Sequence, residues 1–104
     1  MKIKWSHEAL ERLIEIEDYI SKDSPARAIQ FVDQHIEHAE LLSDKPRIGR
    51  IIPELTTHDI RELIFKKYRI VYRLEKNHIA ILTVFEGHRM PRSAEFDVVK
   101  GGRS

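Results

Sequence analysis

The spacing of apolar residues changes once along this chain, and this change limits the possible folds more than any other feature. Between residues 9 and 42, apolar residues recur every three or four positions, which is the period of an amphipathic helix. Between residues 60 and 85, they alternate with polar residues or run almost continuously, which is typical of strands. Helices followed by strands predict an α+β domain whose helices cover one face of a sheet.

Two helices are predicted in the first half of the chain. The first, capped by Ser6, has an apolar stripe that extends to about Ser21. The second is preceded by Ser24, has Pro25 in its first turn and extends to about Leu42. Because the connection between the two helices is short, we expect an antiparallel helix hairpin.

Strands are predicted on both sides of this hairpin. Ile3 and Trp5 alternate with lysines and indicate a short N-terminal strand. The stretch 45–59 has no clear period and is predicted to be a loop. Three further strands are predicted at residues 60–65, 68–74 and 79–85. The short turns between these three strands predict an antiparallel meander.

The length and composition are those of one small domain. We assign residues 1–93 to that domain and residues 94–104 to a polar C-terminal tail. The absence of cysteine excludes a disulfide framework and a thiolate metal site. His35 and His38 lack a third ligand with suitable spacing, so neither a metal nor another cofactor is expected. No segment has the ~20 apolar residues of a membrane span, so we expect a cytoplasmic protein without a membrane partner.

The charges are distributed unevenly along the sequence. Residues 1–44 carry 5 Lys+Arg and 10 Asp+Glu, whereas residues 45–104 carry 13 and 7. The first part therefore has a net charge of −5 and the second a net charge of +6. A basic half can bind an anionic partner, although such charges can also be an ordinary solvated surface.

Basic side chains are predicted to converge on the sheet face that the helices leave uncovered. Arg69 and Arg73 share that side of their strand, and Tyr72 points to the opposite, helix-covered side. Residues that can join the two arginines there are Arg61, Lys66, Lys67, His88, Arg89 and Arg92. Guanidinium groups bind phosphate through paired hydrogen bonds and stabilise charge in a transition state. The alternative is that these residues are ordinary cross-strand surface charges that balance Glu62, Glu75 and Glu86.

His88 and two apolar residues of the hairpin are further candidates. A histidine beside arginines has a lowered pKa and can act as a neutral base, or can simply be a solvated side chain at a strand end. Ile14 and Phe31 lie off the main helical stripes. They can receive an amphipathic segment of another protein, or can be part of the core.

Six short segments, in their order along the chain, resemble the RelE/ParE superfamily of toxins from bacterial type II toxin–antitoxin modules. They are Trp5-Ser6-His7-Glu8-Ala9, Asp18-Tyr19-Ile20, Ser24-Pro25-Ala26-Arg27-Ala28, Pro46-Arg47-Ile48-Gly49-Arg50, Tyr68-Arg69-Ile70-Val71-Tyr72 and Gly87-His88-Arg89. The resemblance covers roughly residues 1–93. It implies a fold of one strand, a helix hairpin and a sheet. It also implies a growth-inhibiting activity that is neutralised by an antitoxin encoded beside the toxin.

The superfamily has two activities, and the resemblance leaves both open. RelE-like members cut mRNA on the ribosome, with basic residues on the sheet and a tyrosine or histidine in the tail. If this chain is such an endoribonuclease, the resemblance implies catalytic roles for His88, Arg89, Arg69 and Arg61. ParE-like members inhibit DNA gyrase and lack the complete catalytic set. The residues predicted to contact the gyrase or RNA target are Lys66, Lys67, Arg73 and Arg92.

Two departures from the RelE-like pattern favour the ParE-like branch. Glu62 would repel RNA, and Phe96, which stands where RelE has a tyrosine, cannot exchange a proton. We therefore expect a gyrase inhibitor neutralised by a cognate antitoxin that contacts Ile14 and Phe31. The alternatives are a ribosome-dependent mRNA endoribonuclease and a non-toxic interaction module held in a complex by its helix hairpin.

Overall fold

A computed structural model describes residues 1–52 and 59–87 of the chain, and the fold is given for these residues. Strand β1 spans Lys2–Trp5, helix α1 spans His7–Ser21 and helix α2 spans Pro25–Asp44. The strands that follow in the described part are β2 at Arg50–Ile51, β3 at Ile60–Phe65, β4 at Tyr68–Leu74 and β5 at His78–Glu86. The predicted α+β fold, with a strand, a helix hairpin and an antiparallel meander, is confirmed.

The strands of the described residues form one sheet in the order β1-β5-β4-β3-β2. Strand β1 is parallel to β5, and every other neighbouring pair is antiparallel. Strand β5 therefore lies inside the sheet with a partner on each side. Its almost continuous apolar sequence is typical of such a position.

Each helix begins at a serine whose hydroxyl accepts a backbone hydrogen bond. Ser6 Oγ accepts from the Ala9 N–H at 3.0 Å, and Ser24 Oγ accepts from the Arg27 N–H at 3.2 Å. These bonds satisfy N–H groups that have no partner inside a helix. Ser6 Oγ also donates to the Leu82 carbonyl at 2.9 Å, which attaches the start of α1 to β5.

The main core lies between the two helices and one face of the sheet. Its buried members are Ala9, Ala39, Leu42, Ile70, Tyr72, Ile79, Ile81 and Val84. Neither layer can remove its apolar side from water alone, so packing of the helices on the sheet stabilises both.

The sheet face turned away from the helices, called the outer face below, carries a buried apolar cluster in addition to the charged residues that the sequence predicted there. Its buried apolar residues are Ile52, Ile60, Val71, Leu82 and Phe85. The register of β4 and β5 shifts between Val71 and Tyr72, so Leu82 has no Cα partner in β4. A bulge of this kind adds one residue to a strand and changes where the neighbouring side chains point.

Three elements differ from the predictions. Strand β5 spans His78–Glu86 and is one residue longer at each end than the predicted 79–85. Helix α2 continues beyond Leu42 to Asp44, and the predicted loop 45–59 contains the two-residue strand β2. Two residues are too few to show an alternating pattern, and β2 exists because Arg50 and Ile51 pair with β3. The remainder of the predicted loop, residues 53–58, lies outside the described residues. In the part of the chain that the structure describes, neither helix has the length and apolarity needed to cross a bilayer.

Candidate functional site

Three charged side chains on the outer face form a connected group, called the Glu62 cluster below: Glu62 of β3, Arg50 of β2 and Arg69 of β4. Arg50 lies directly opposite Glu62 in the β2–β3 register. Glu62 pairs with Val71, so Arg69, two residues earlier in β4, is its diagonal neighbour on the same face. The pairing of three strands thus brings together residues that are far apart in sequence.

Both carboxylate oxygens of Glu62 accept hydrogen bonds from guanidinium groups. Arg50 donates to Oε2 from Nε and from Nη2, at 2.6 Å in each case. Arg69 donates from Nη1 to Oε1 at 2.7 Å. The Nε of Arg69 donates to the Gly87 carbonyl at 2.8 Å, which fixes its guanidinium relative to the end of β5. Charge-assisted bonds of these lengths are among the stronger hydrogen bonds of a protein.

The Glu62 carboxyl is ionised although it is almost inaccessible to water. The residue is 5% exposed, and burial by itself would raise the pKa of its carboxyl. The hydrogen bonds and positive charges of Arg69 and Arg50 outweigh burial, so the pKa of Glu62 is lowered. Glu62 therefore carries a negative charge at neutral pH and neutralises part of the positive charge around it.

Arg61 lies on the opposite face of the sheet from Arg69, which corrects the prediction that the two converge. Arg61 pairs with Tyr72, whose side chain belongs to the core under the helices. Its Nε donates to Asp59 Oδ1 at 2.9 Å, and its Nη1 donates to the Gly49 carbonyl at 3.0 Å. The side chain of Arg61 is therefore occupied in holding the segment before β2.

Arg73 is on the outer face as predicted, but it does not join the Glu62 cluster. It pairs with Ile60 at the far end of β3 from the β3–β4 turn, and its Nε donates to the Glu75 carboxylate. Glu75 is one of the glutamates that the charge-pair alternative named, but the pair joins two residues near each other in the chain and does not cross between strands. Of the described arginines that were predicted to converge, Arg69 is the one that belongs to the Glu62 cluster. It is joined there by Arg50, which was not predicted as a site residue.

Lys66 and Lys67 form the two-residue turn between β3 and β4. Lys67 Nζ lies 3.4 Å from Glu86 Oε2 and 5.7 Å from the centre of the Tyr68 ring. Lys66 Nζ lies 5.3 Å from the centre of the Phe65 ring. Both lysines are exposed, so the turn presents two positive charges next to aromatic rings.

A groove of about 470 Å³ separates this turn from the tip of the helix hairpin. Its charged lining residues are Asp23, Arg27, Lys66 and Lys67, and its aromatic ones are Tyr19, Phe31, Phe65 and Tyr68. Gln30, Gln34 and Ile20 complete the lining. The groove combines an apolar floor with a rim whose charge is mainly positive.

The two apolar residues predicted to contact an antitoxin differ in accessibility. Ile14 is 54% exposed on α1, next to Leu10 at 44%. Phe31 is only 5% exposed and packs with Leu13 and Tyr68, which agrees with the alternative that it is part of the core. The Phe31 ring packs against the Tyr68 ring of β4. Phe31 is accessible from solvent as part of the groove lining.

The other predicted site residues divide into two groups. His88, Arg89, Arg92 and Phe96 lie outside the described residues. His35 and His38 are both described, and the Nδ1 atom of each is bonded to the backbone carbonyl one turn earlier. The described residues hold no group of three histidine, aspartate or glutamate side chains positioned for a metal ion.

The arrangement of the helix pair on the sheet is also found in a known class of small proteins. The chain is similar to a chain of a solved structure, the chromosomal ParDE toxin–antitoxin system from P. aeruginosa. The sequences are 24% identical, the TM-score is 0.71, and the match covers 85% of this chain and 97% of that one. At this identity the likeness shows that the two chains share a fold.

Two sequence comparisons then give the family. Residues 3–91 match the family described as "ParE toxin of type II toxin-antitoxin system, parDE". A protein of Sinorhizobium fredii, "Putative toxin Y4kP", is 36% identical over 90 residues, which are 85% of this chain and 90% of that protein. The chain belongs to the ParE toxin family and is the toxin component of a type II toxin–antitoxin system. The resemblance to the ParE-like branch is confirmed, and the family implies a cognate antitoxin as partner.

Proposed function

We propose that this toxin inhibits growth in the cytoplasm by binding to DNA gyrase, and that it does not cut mRNA. Membership of the ParE family supports a ParE-like activity. The Glu62 cluster is the structural observation that carries the choice between the two targets. In it, the guanidinium of Arg69, which the nuclease hypothesis assigns to the scissile phosphate, is bonded to a buried carboxylate.

Cleavage of RNA requires positive groups that are directed at one phosphate while negative charge develops on it. Arg69 and Arg61 point to opposite faces of the sheet, and each is bonded to other groups of the chain. An inhibitor that acts by binding needs no such convergence. It needs an accessible surface with a few well-placed side chains.

We assign target binding to the basic residues predicted from the sequence, which are Lys66, Lys67, Arg73 and Arg92. Lys66 and Lys67 support this assignment best, because both are exposed on one turn. A lysine pair at a surface turn increases the rate of association with an acidic partner surface and contributes to specificity.

The test is a supercoiling assay with purified toxin and purified gyrase. We expect wild-type toxin to block supercoiling and to increase cleaved gyrase–DNA complexes. Lys67→Glu reverses the charge of the turn and should weaken inhibition about tenfold, since a repulsive rim charge slows association. Lys76→Glu is the matched control, because Lys76 is an exposed lysine on the turn at the other end of β4.

Induction of the toxin in cells distinguishes the alternatives. Primer extension on translated mRNA that shows new cuts, together with unaffected supercoiling, would support the ribosome-dependent endoribonuclease and reject gyrase. In that case His88→Ala should abolish toxicity. Unimpaired growth after induction would instead favour the non-toxic interaction module.

For the antitoxin, we propose the exposed apolar surface of the hairpin as its docking site. Leu10 and Ile14 lie one helical turn apart on α1, and both are exposed. Apolar side chains at this spacing can bind an amphipathic segment of a partner. Phe31 can contribute only through the floor of the groove beside the hairpin.

A further inference from the structure

The Glu62 cluster is built like an anion-binding site that already holds its anion. Arg50 places two N–H donors on one carboxylate oxygen, and Arg69 places one on the other. A phosphate group binds between two arginines through the same type of paired N–H···O bonds. The side chain of Glu62 therefore supplies the two oxygen atoms that a bound phosphate would otherwise supply.

The two arginines differ in a way that suits such a site. Arg69 has a side chain that is 13% exposed and is fixed by its bond to the Gly87 carbonyl. Arg50 has a side chain that is 64% exposed, so an anion can reach it from solvent. Glu62 lies between them with a side chain that is 6% exposed.

We propose that Arg50 and Arg69 form an oxyanion site on the outer face, and that Glu62 occupies this site and prevents phosphate groups of nucleic acid from binding there. Glu62 is thus a specificity-determining residue. With the carboxylate in place, the cluster has one more positive charge than negative. Without it, two guanidinium groups face the same space. This inference does not depend on gyrase being the target, because it concerns only which anions the outer face accepts.

The first test uses the full-length Glu62→Ala variant and inorganic phosphate as the probe. A ligand that binds the folded protein and not the unfolded chain raises the melting temperature of the protein. We expect phosphate to raise the Tm of Glu62→Ala above its value in sodium chloride of equal ionic strength. Phosphate should leave the Tm of the wild-type protein unchanged under the same comparison.

The matched control is Glu75→Ala, which removes a carboxylate that is paired with Arg73 and leaves the Glu62 cluster intact. Both variants lose one negative charge, so a general effect of net charge would appear in both. Equal phosphate-dependent shifts for Glu62→Ala and Glu75→Ala would overturn the proposal. The same conclusion follows if phosphate stabilises the wild-type protein as much as Glu62→Ala.

A second variant tests the site if Glu62→Ala does not fold. Glu62→Gln keeps the size of the side chain and removes its charge, so phosphate has to displace a neutral amide instead of a carboxylate. We expect the Arg50 Nε–H resonance of this variant to shift saturably with inorganic phosphate, with an affinity about tenfold tighter than in wild type. Identical titrations of the wild-type protein and Glu62→Gln would overturn the proposal.

The consequence for nucleic acid is tested with a single-stranded RNA oligonucleotide and fluorescence anisotropy at several salt concentrations. Each gained phosphate contact should steepen the slope of log K against log salt by about 0.7. We expect this steepening for Glu62→Gln, and its loss when Arg50→Gln is added. If Glu62→Gln and the wild-type protein bind RNA with the same affinity and slope, Glu62 does not determine specificity.

Discussion

At the scale of single residues, the Tyr72 hydroxyl holds the segment before β2 against the sheet. It donates to the Pro46 carbonyl at 2.8 Å and accepts from the Gly49 N–H at 2.9 Å. Burial raises the pKa of Tyr72, so the phenol stays protonated and remains a donor. Tyr72→Phe leaves the buried Gly49 N–H and the partly buried Pro46 carbonyl without the hydroxyl. We expect it to lower the free energy of unfolding by about 1–3 kcal/mol, measured by urea denaturation.

Tyr19→Phe is the control for this prediction, because Tyr19 is 76% exposed. The Tyr19 hydroxyl is already accessible to water. We therefore expect its removal to change the free energy of unfolding by no more than about 0.5 kcal/mol. If Tyr72→Phe is as stable as Tyr19→Phe, the two hydrogen bonds do not contribute to stability.

His35 is a second residue whose role in stability can be tested. It is fully buried on α2, with its ring centre 4.2 Å from that of Phe31 and 5.2 Å from that of Tyr68. Burial lowers the pKa of His35 from 6.5, the Phe31 carbonyl opposes this shift, and the charge of His38 adds to it. As pH falls below about 6.5, the unfolded chain therefore binds a proton that the native protein does not bind.

The stability contributed by His35 is thus complete above pH 6.5 and is lost as pH falls toward the lowered native pKa. We expect the free energy of unfolding of the wild-type protein to decrease between about pH 7 and pH 5. His35→Gln, which can still donate to the Phe31 carbonyl, should lose less stability over this range. His7→Gln is the control, since the His7 side chain is 90% exposed. Parallel pH profiles for wild type and His35→Gln would contradict this assignment.

At the scale of secondary-structure elements, the two helix caps have unequal roles. Among the described residues the Ser24 hydroxyl bonds to α2 alone, whereas the Ser6 hydroxyl caps α1 and also donates to the carbonyl of Leu82 at the bulge of β5. Loss of a serine cap costs about 1 kcal/mol. We therefore expect Ser6→Ala to lower the free energy of unfolding by about 2 kcal/mol and Ser24→Ala by about 1 kcal/mol, measured by thermal or urea unfolding. Equal losses would mean that the bond to Leu82 adds nothing.

Most of the elements could be predicted because their signals are local. The helical stripes, the serine caps and the alternation of β4 need only neighbouring residues, and these elements were placed within a few residues of their true ends. Strand β2 was not predicted because two residues are too few to show an alternating pattern of apolar and polar side chains. Its pairing with β3, like that of β1 with β5, joins segments distant in sequence.

The separation of Arg61 from Arg69 was missed because alternation within one strand does not tell which face of the neighbouring strand corresponds to it. The relation is set by the turn. Lys66 and Lys67 form a two-residue turn in which Phe65 pairs with Tyr68, and this register places Arg61 opposite Tyr72 on the helix side. The turn length was visible in the sequence, so the opposite orientations of Arg61 and Arg69 could have been found from it. The contribution of Arg50 could not, because β2 was not predicted.

At the scale of the whole molecule, the toxin has two surfaces that can be separated experimentally. The outer face of the sheet and the Lys66–Lys67 turn form one surface. The exposed part of the helix hairpin forms the other. If the antitoxin docks on Ile14, a lysine there places a charge in an apolar contact, which is unfavourable unless the charge is paired. We expect Ile14→Lys to weaken antitoxin binding about tenfold or more, measured by isothermal titration calorimetry.

In cells, Ile14→Lys toxin should still arrest growth when it is induced, because the change does not touch the outer face or the Lys66–Lys67 turn. The cognate antitoxin should relieve this arrest less well than it relieves the arrest caused by wild-type toxin. Glu15→Lys is the matched control, because Glu15 is the next residue of α1 and its side chain is 65% exposed. Full relief of Ile14→Lys by the antitoxin would place the docking surface elsewhere. Loss of toxicity in Ile14→Lys alone would show that the hairpin also contacts the target.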